Sequence, residues 1–187
     1  MFKQIVHIIL RFIFRPAEGW KERDIAENHQ SFQRNFLYPV IAFVSVFSFI
    51  AIFFSHKSFD MELALKTLIL TFFTLLGGLY VSAWLLSEVN QRFFSGEKDL
   101  PLFLRFAGYA CSPLYLIMML VALLPSLIFL YIFVFYVAVV VWEGSRNYLS
   151  IKTDQQTAFT IATTFILLFT PFLLRGLLKI MLPGLQI

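Results

Sequence analysis

The side chains able to do chemistry in this chain are few, and most lie at the edges of long apolar runs. The three histidines, His7, His29 and His56, fall in different segments, and no H-E-x-x-H pair brings two of them onto one helix face. The single cysteine, Cys111, excludes an intrachain disulfide and any multi-cysteine metal site. It sits among apolar residues and reads as inert packing. There is no G-x-S-x-G, no P-loop, and no His-plus-Ser pairing inside an apolar run, which argues against an intramembrane hydrolase. No catalytic residue, cofactor site or metal-ligand set is therefore expected. The remaining charged candidates flank polar segments: Glu88, Arg92 and Arg105 around one, Glu143 and Arg146 around another. Converging on one face, they would make a polar patch for a partner or a lipid headgroup. Standing separately, they would be solvated anchors at a membrane interface.

The elements that must carry these residues are set by composition. The hydrophobic fraction is 59% and the charged fraction 14%, with a mean hydropathy of +0.80; a soluble domain is about 45–50% apolar and about 25% charged. Lipid is the natural solvent for such a chain. The expected fold class is an all-α polytopic membrane bundle of about five transmembrane helices, with a short interfacial or cytoplasmic N-terminal helix. Residues 1–35 form that N-terminal segment and residues 36–182 the membrane domain. Its spans are expected at about 36–54, 65–86, 102–123, 126–142 and 157–174. From Phe106 to Val141 there is no ionisable Asp, Glu, Lys, Arg or His, too long for one crossing, so a turn at Leu124-Pro125-Ser126 makes the run a hairpin. Met1 to Phe14 is too short to span and lacks a signal-peptide cleavage site. It suits a helix lying in the interface, with a helix packed on the bundle as the alternative. Glu88 to Asp99 and Glu143 to Gln156 are expected as polar loops.

Charge sets the orientation. With five spans and the N-terminus inside, eleven of the fifteen Lys and Arg residues fall on the inner side and four on the outer, as the positive-inside rule favours. The span centres carry almost no ionisable group, unlike proton-coupled carriers. Gly78 with Ser82, and Gly108 with Ser112, are four apart and would let helices approach closely. Pro113 and Pro171 each remove a helical hydrogen bond, so kinks are expected near Tyr109 and Leu167.

Two short patterns are informative together. Arg15-Pro16-Ala17-Glu18-Gly19-Trp20 stands before the first span as a P-x-x-x-W element. Gly108-Tyr109-Ala110-Cys111-Ser112-Pro113 opens the third as G-Y-x-x-S-P, followed by the uncharged hairpin. The layout, over roughly 16–183, resembles the Yip family, the Ypt/Rab-interacting membrane proteins, in its compact bacterial form. The resemblance implies a five-span bundle with a cytoplasmic N-terminus and no enzymatic activity. Eukaryotic members contact small GTPases and one another in vesicle trafficking. The D-L-Y-G-P-like element before their first span is absent here, where the chain reads Phe36-Leu37-Tyr38-Pro39, and this argues against GTPase binding.

The function expected from these readings is a non-catalytic membrane scaffold or adaptor. Its partners would be the lipid bilayer and other membrane proteins or further copies of itself, with no nucleic acid. The expected location is a bacterial cytoplasmic membrane, with the N-terminus in the cytoplasm. The alternative is an oligomeric channel or carrier subunit for a neutral or amphipathic solute. An enzyme acting on lipids through Glu88, Arg92, Glu143 and Arg146 is the third and weakest reading.

Overall fold

Inside a bilayer every backbone N–H and C=O must find its partner within the protein, and a helix achieves this within one segment. The computed structural model describes residues 2–23, 28–55, 60–94 and 96–181, whose regular structure is helical with no strand among them. In chain order the helices are α1 (Phe2–Phe14), α2 (Pro16–Lys21) and α3 (His29–Phe32), a π-helical turn (Gln33–Leu37), α4 (Tyr38–Ser55) and α5 (Met61–Phe93). Then follow α6 (Leu100–Ala110), α7 (Ser112–Leu123), a 3-10 stretch (Pro125–Tyr136), α8 (Val137–Asn147) and α9 (Gln156–Met181). Four helices are long and apolar enough to cross a membrane: His29–Ile52, Met61–Phe93, Pro125–Asn147 and Gln156–Met181. The pair α6 and α7, bent by 45° at its break, makes a fifth if it is one span. The protein is an integral membrane protein with an all-α bundle fold. His56, and the last residue of the expected membrane domain at position 182, lie outside the described residues.

Several details follow from local chemistry. Tyr38 donates its amide to the carbonyl of Gln33, five residues back. This π turn stands directly before Pro39, which cannot donate and whose ring crowds the carbonyl four residues earlier. The bend expected near Tyr109 falls two residues later, at Cys111 (φ −79°, ψ 4°). There the missing N–H of Pro113 ends α6, and α7 restarts with that proline in its first turn. In α9, Pro171 lies within an unbroken helical assignment, so no comparable break accompanies it. The hairpin turn falls at Leu124, whose backbone leaves the helical region (φ −129°, ψ 84°). The second arm then begins as 3-10 helix rather than α-helix.

α5 is longer than the apolar run predicts. It continues through Glu88 and Arg92 to Phe93, so those two residues lie on a helix rather than in a loop. Glu143 and Arg146 are likewise helical, at the end of α8. Thirty-three residues of helix extend about 50 Å, against a hydrocarbon core of about 30 Å. Lys66 pairs with Glu62 near one end, and Arg92 with Glu88 near the other. The twenty-two positions from Lys66 to Glu88 rise about 33 Å, so the two ion pairs bracket one core thickness.

α5 packs against α4, α6 and α9, α4 against α7, and α8 against α9 and α2. A Cβ added to Gly78 would lie 3.0 Å from Pro171 Cγ and 3.1 Å from its Cα. The small residue thus sets the close approach of α5 and α9, as the small-residue pairs suggest. Ser82 and Ser112, the partners of Gly78 and Gly108 in those pairs, are fully buried. α1 packs on the bundle, with Ile5, Ile9 and Phe12 buried against it. Tyr136 donates its hydroxyl to the Ile13 carbonyl at 2.7 Å, fastening α1 to the 3-10 stretch.

Candidate functional site

Pro16 occupies the first turn of α2, where its lost N–H is harmless and its fixed φ suits a helix start. It separates α2 from α1 and starts a short helix that carries Trp20 one turn later. Trp20 is wholly buried. Its indole N–H donates to the Val140 carbonyl of α8 at 2.8 Å, so the ring's one polar atom is satisfied in the interior. Around it stand Phe12 (4.9 Å, edge-on), Phe106 (5.0 Å, stacked) and Tyr148 (5.1 Å, tilted). These separations fall within the range in which aromatic pairs attract beyond simple area burial.

Tyr109 is the second centre of this cluster. Phe12 stacks on it at 5.3 Å, while Phe32 and Phe36 approach it at 5.0 and 4.8 Å. Trp20 meets it edge-on at 6.3 Å. The two short motifs, eighty-nine positions apart in sequence, therefore touch in space. Glycines make the room. A Cβ on Gly108 would come 2.6 Å from Phe32 Cζ, and one on Gly144 would come 2.6 Å from Trp20 Cε2 and 2.7 Å from Phe106 Cε2. Gly144, Phe106 and Tyr148 were not singled out by the sequence. The only local signal for Gly144 is a glycine between Glu143 and Ser145 after a long apolar run. Ser112 and Pro113 are buried beside the α6–α7 break, where they shape the backbone and no partner of their side chains is evident.

The charged candidates do not form one patch. Glu88 Oε1 takes Arg92 (Nη2 2.7 Å, Nε 2.8 Å), and Oε2 takes Lys98 (2.8 Å). Both cations lie with Glu88 beyond the apolar part of α5. Hydrogen bonds from Lys98, then from Arg92, hold the Glu88 carboxyl below the usual carboxylate range. Glu143 instead accepts from Asn147 one turn along its own helix, at 3.0 Å. Arg146 is exposed. Arg105 is buried, at 6% exposure, and donates from Nε to the Tyr148 hydroxyl at 3.3 Å. It thus belongs to the aromatic cluster rather than to the Glu88 network. No group of three or more His, Cys, Asp or Glu residues comes together among the described residues. The arrangement holds α1, α2, α6 and α8 together.

No curated protein and no solved structure matches the chain. A family model for the Yip1 domain matches residues 10–174, a stretch that contains the P-x-x-x-W element, the G-Y-x-x-S-P element and the helices that bring them into contact. With that match over most of its length, the chain belongs to the Yip1-domain family.

Proposed function

We propose that this protein is a non-catalytic scaffold or adaptor of a bacterial cytoplasmic membrane, with five spans and its N-terminus in the cytoplasm. The observation that carries the reading is the seating of Trp20 between α2 and α8, with its N–H on the Val140 carbonyl. It makes the segment ahead of the first span part of the bundle, and so a fixed surface that a partner can read. The excess of Lys and Arg on that side supports the orientation. The broad apolar exterior, with Ile161, Phe165, Phe172 and Ile180 exposed along α9, offers lipid and partner helices a large contact face. The partners would be other membrane proteins or further copies of the chain.

Affinity capture of the full chain in mild detergent tests this. One membrane partner should return reproducibly with the parent chain and be lost with Trp20→Ala under conditions where the variant stays folded. Recovery of the bare protein across several detergents removes the reading. Solute flux into liposomes above that of empty vesicles would favour a carrier instead. A reporter fused after Ile187 that is active only in the cytoplasm would overturn the five-span topology.

A further inference from the structure

Between α1 and the start of the first span lies a cleft of about 590 Å³, within the roughly 300–1,000 Å³ usual for ligand sites. Its mouth carries Lys3 and His7, one turn apart on α1 and both exposed, with Arg23 and Asn35 opposite. Its floor includes Phe36 and Tyr109. No carboxylate lines it among the described residues. Among the described residues, Glu18 pairs with Arg15 (3.3 Å) and Arg11 (3.8 Å), and Glu22 with Arg11.

Arg23 is the most informative residue. Its guanidinium carbon sits 5.0 Å from the Tyr109 ring centroid, and Nη1 reaches the Tyr109 hydroxyl at 3.4 Å. The cation–π contact fixes the side chain in place. Arg23 lines the cleft, and a guanidinium offers five N–H donors in a fork that matches phosphate oxygens. A positioned guanidinium and a lysine on the cleft wall, with no acid among its described lining residues, suit an anion. Its depth narrows the chemistry further. Asn35 and Phe36 stand where the uncharged run of the first span begins, which is headgroup level. On the far flank of α1, Ile5 and Ile9 face Phe43, Leu116 and Leu120 across an apolar groove of about 200 Å³.

We propose that this cleft binds a phosphate group carrying net negative charge, as in the headgroup of an anionic phospholipid, with Arg23 and Lys3 as the ligating cations. The assignment goes beyond the scaffold reading and stands without it. The test uses the full chain in a neutral detergent. Short-chain phosphatidylglycerol, short-chain phosphatidylcholine and inorganic phosphate are titrated separately, and affinity is read from the concentration dependence of the thermal shift. Phosphatidylglycerol should bind more tightly than phosphatidylcholine. Lys3→Gln/Arg23→Gln should weaken it at least about tenfold, since each lost hydrogen bond is charge-assisted. Lys152→Gln/Arg175→Gln, which removes the same charge elsewhere, should leave it unchanged. If loss of Arg23 from Tyr109 unfolds the protein, Lys3→Gln compared with Lys152→Gln, both at exposed positions, gives the charge-matched comparison. Inorganic phosphate binding with the same dependence on the cleft residues keeps the site and assigns it a soluble phosphate. Equal binding of phosphatidylcholine, absence of binding by all three probes, or equal weakening in both double variants overturns the proposal.

Discussion

Trp20, Phe106, Tyr109 and Tyr148 are withdrawn almost completely from the surface, whereas Ile128, Phe129, Ile132, Phe133 and Phe135 in the 3-10 stretch stand out from it, at 56–71% exposure. Both regions are rich in large apolar side chains, so composition does not separate them. What separates them is a receiving surface. Trp20 has Gly144 beneath it, an acceptor at Val140 and aromatic rings on several sides. The residues of Pro125–Tyr136 pack mainly on α7 and α8, and none is buried. Lipid tails are as apolar as these side chains, so the exposure carries no hydrophobic penalty in a bilayer. In this protein burial marks where elements are specifically joined, and exposure marks where lipid or another helix is the neighbour.

The strongest way to break this contrast is Trp20→Ala. It removes the largest buried side chain of the cluster and takes the indole donor from the Val140 carbonyl. The expected cost is about 3–5 kcal/mol, read as a fall in thermal midpoint in detergent. Trypsin cleavage at Lys21 and Arg23 should also accelerate as α2 leaves its seat. A midpoint near the parent's would mean that the aromatic cluster does not hold the N-terminal segment.

Gly144→Val attacks the same contact from the other side. The first carbon added already falls 2.6 Å from the Trp20 ring, too close to accommodate without moving that ring or the helix. Overpacking of this kind costs about 1–3 kcal/mol. A double-mutant cycle with Trp20→Ala should recover part of the loss, because the valine would fill space the indole vacates. Strict additivity would show that the two residues do not share one contact.

The division between the two regions was only partly legible in the sequence. Runs without ionisable residues locate the membrane helices, because a charge inside the core is costly at any position along the run. Pro16, Trp20, Gly108 and Tyr109 stand out as motif residues, yet nothing in their spacing says that they touch. Contact between positions eighty-nine apart leaves no helical period to read. The same limit hid Gly144, whose role appears only once α2 lies across α8. Arg105 shows a different limit. It reads as a rim charge because it follows a polar segment, but α6 begins at Leu100 and turns that side chain inward onto Tyr148. The helical extension of α5 past Leu86 is not legible in the apolar run, since polar residues commonly follow a span's end. There the Glu88–Arg92 pair, one turn apart, supports it instead.

Trp20→Phe sharpens the comparison by a smaller step. The ring and most of its packing remain, while the N–H to Val140 at 2.8 Å is lost. The expected cost is about 1 kcal/mol for the hydrogen bond, plus what the smaller ring fails to fill. Docking of α2 should survive, with trypsin cleavage close to that of the parent chain. A loss as large as that of Trp20→Ala would mean the hydrogen bond, rather than the aromatic packing, holds the segment.

Phe133→Ala should have the least effect. Phe133 is 56% exposed and edges an open apolar cleft beside Ile13 and Leu116, so its removal deletes mainly exposed contacts. The thermal midpoint of the isolated chain in detergent should change by an amount corresponding to less than about 0.5 kcal/mol, as for other surface substitutions. The same variant has a second readout in a bilayer, where the arm faces either lipid or a neighbouring helix. Self-association measured by energy transfer between labelled copies should be unchanged if lipid is the neighbour. A fall in association, with the midpoint in detergent unmoved, would show that the exposed arm is joined after all. Its receiving surface would then lie on another molecule, as that of Trp20 lies on α8.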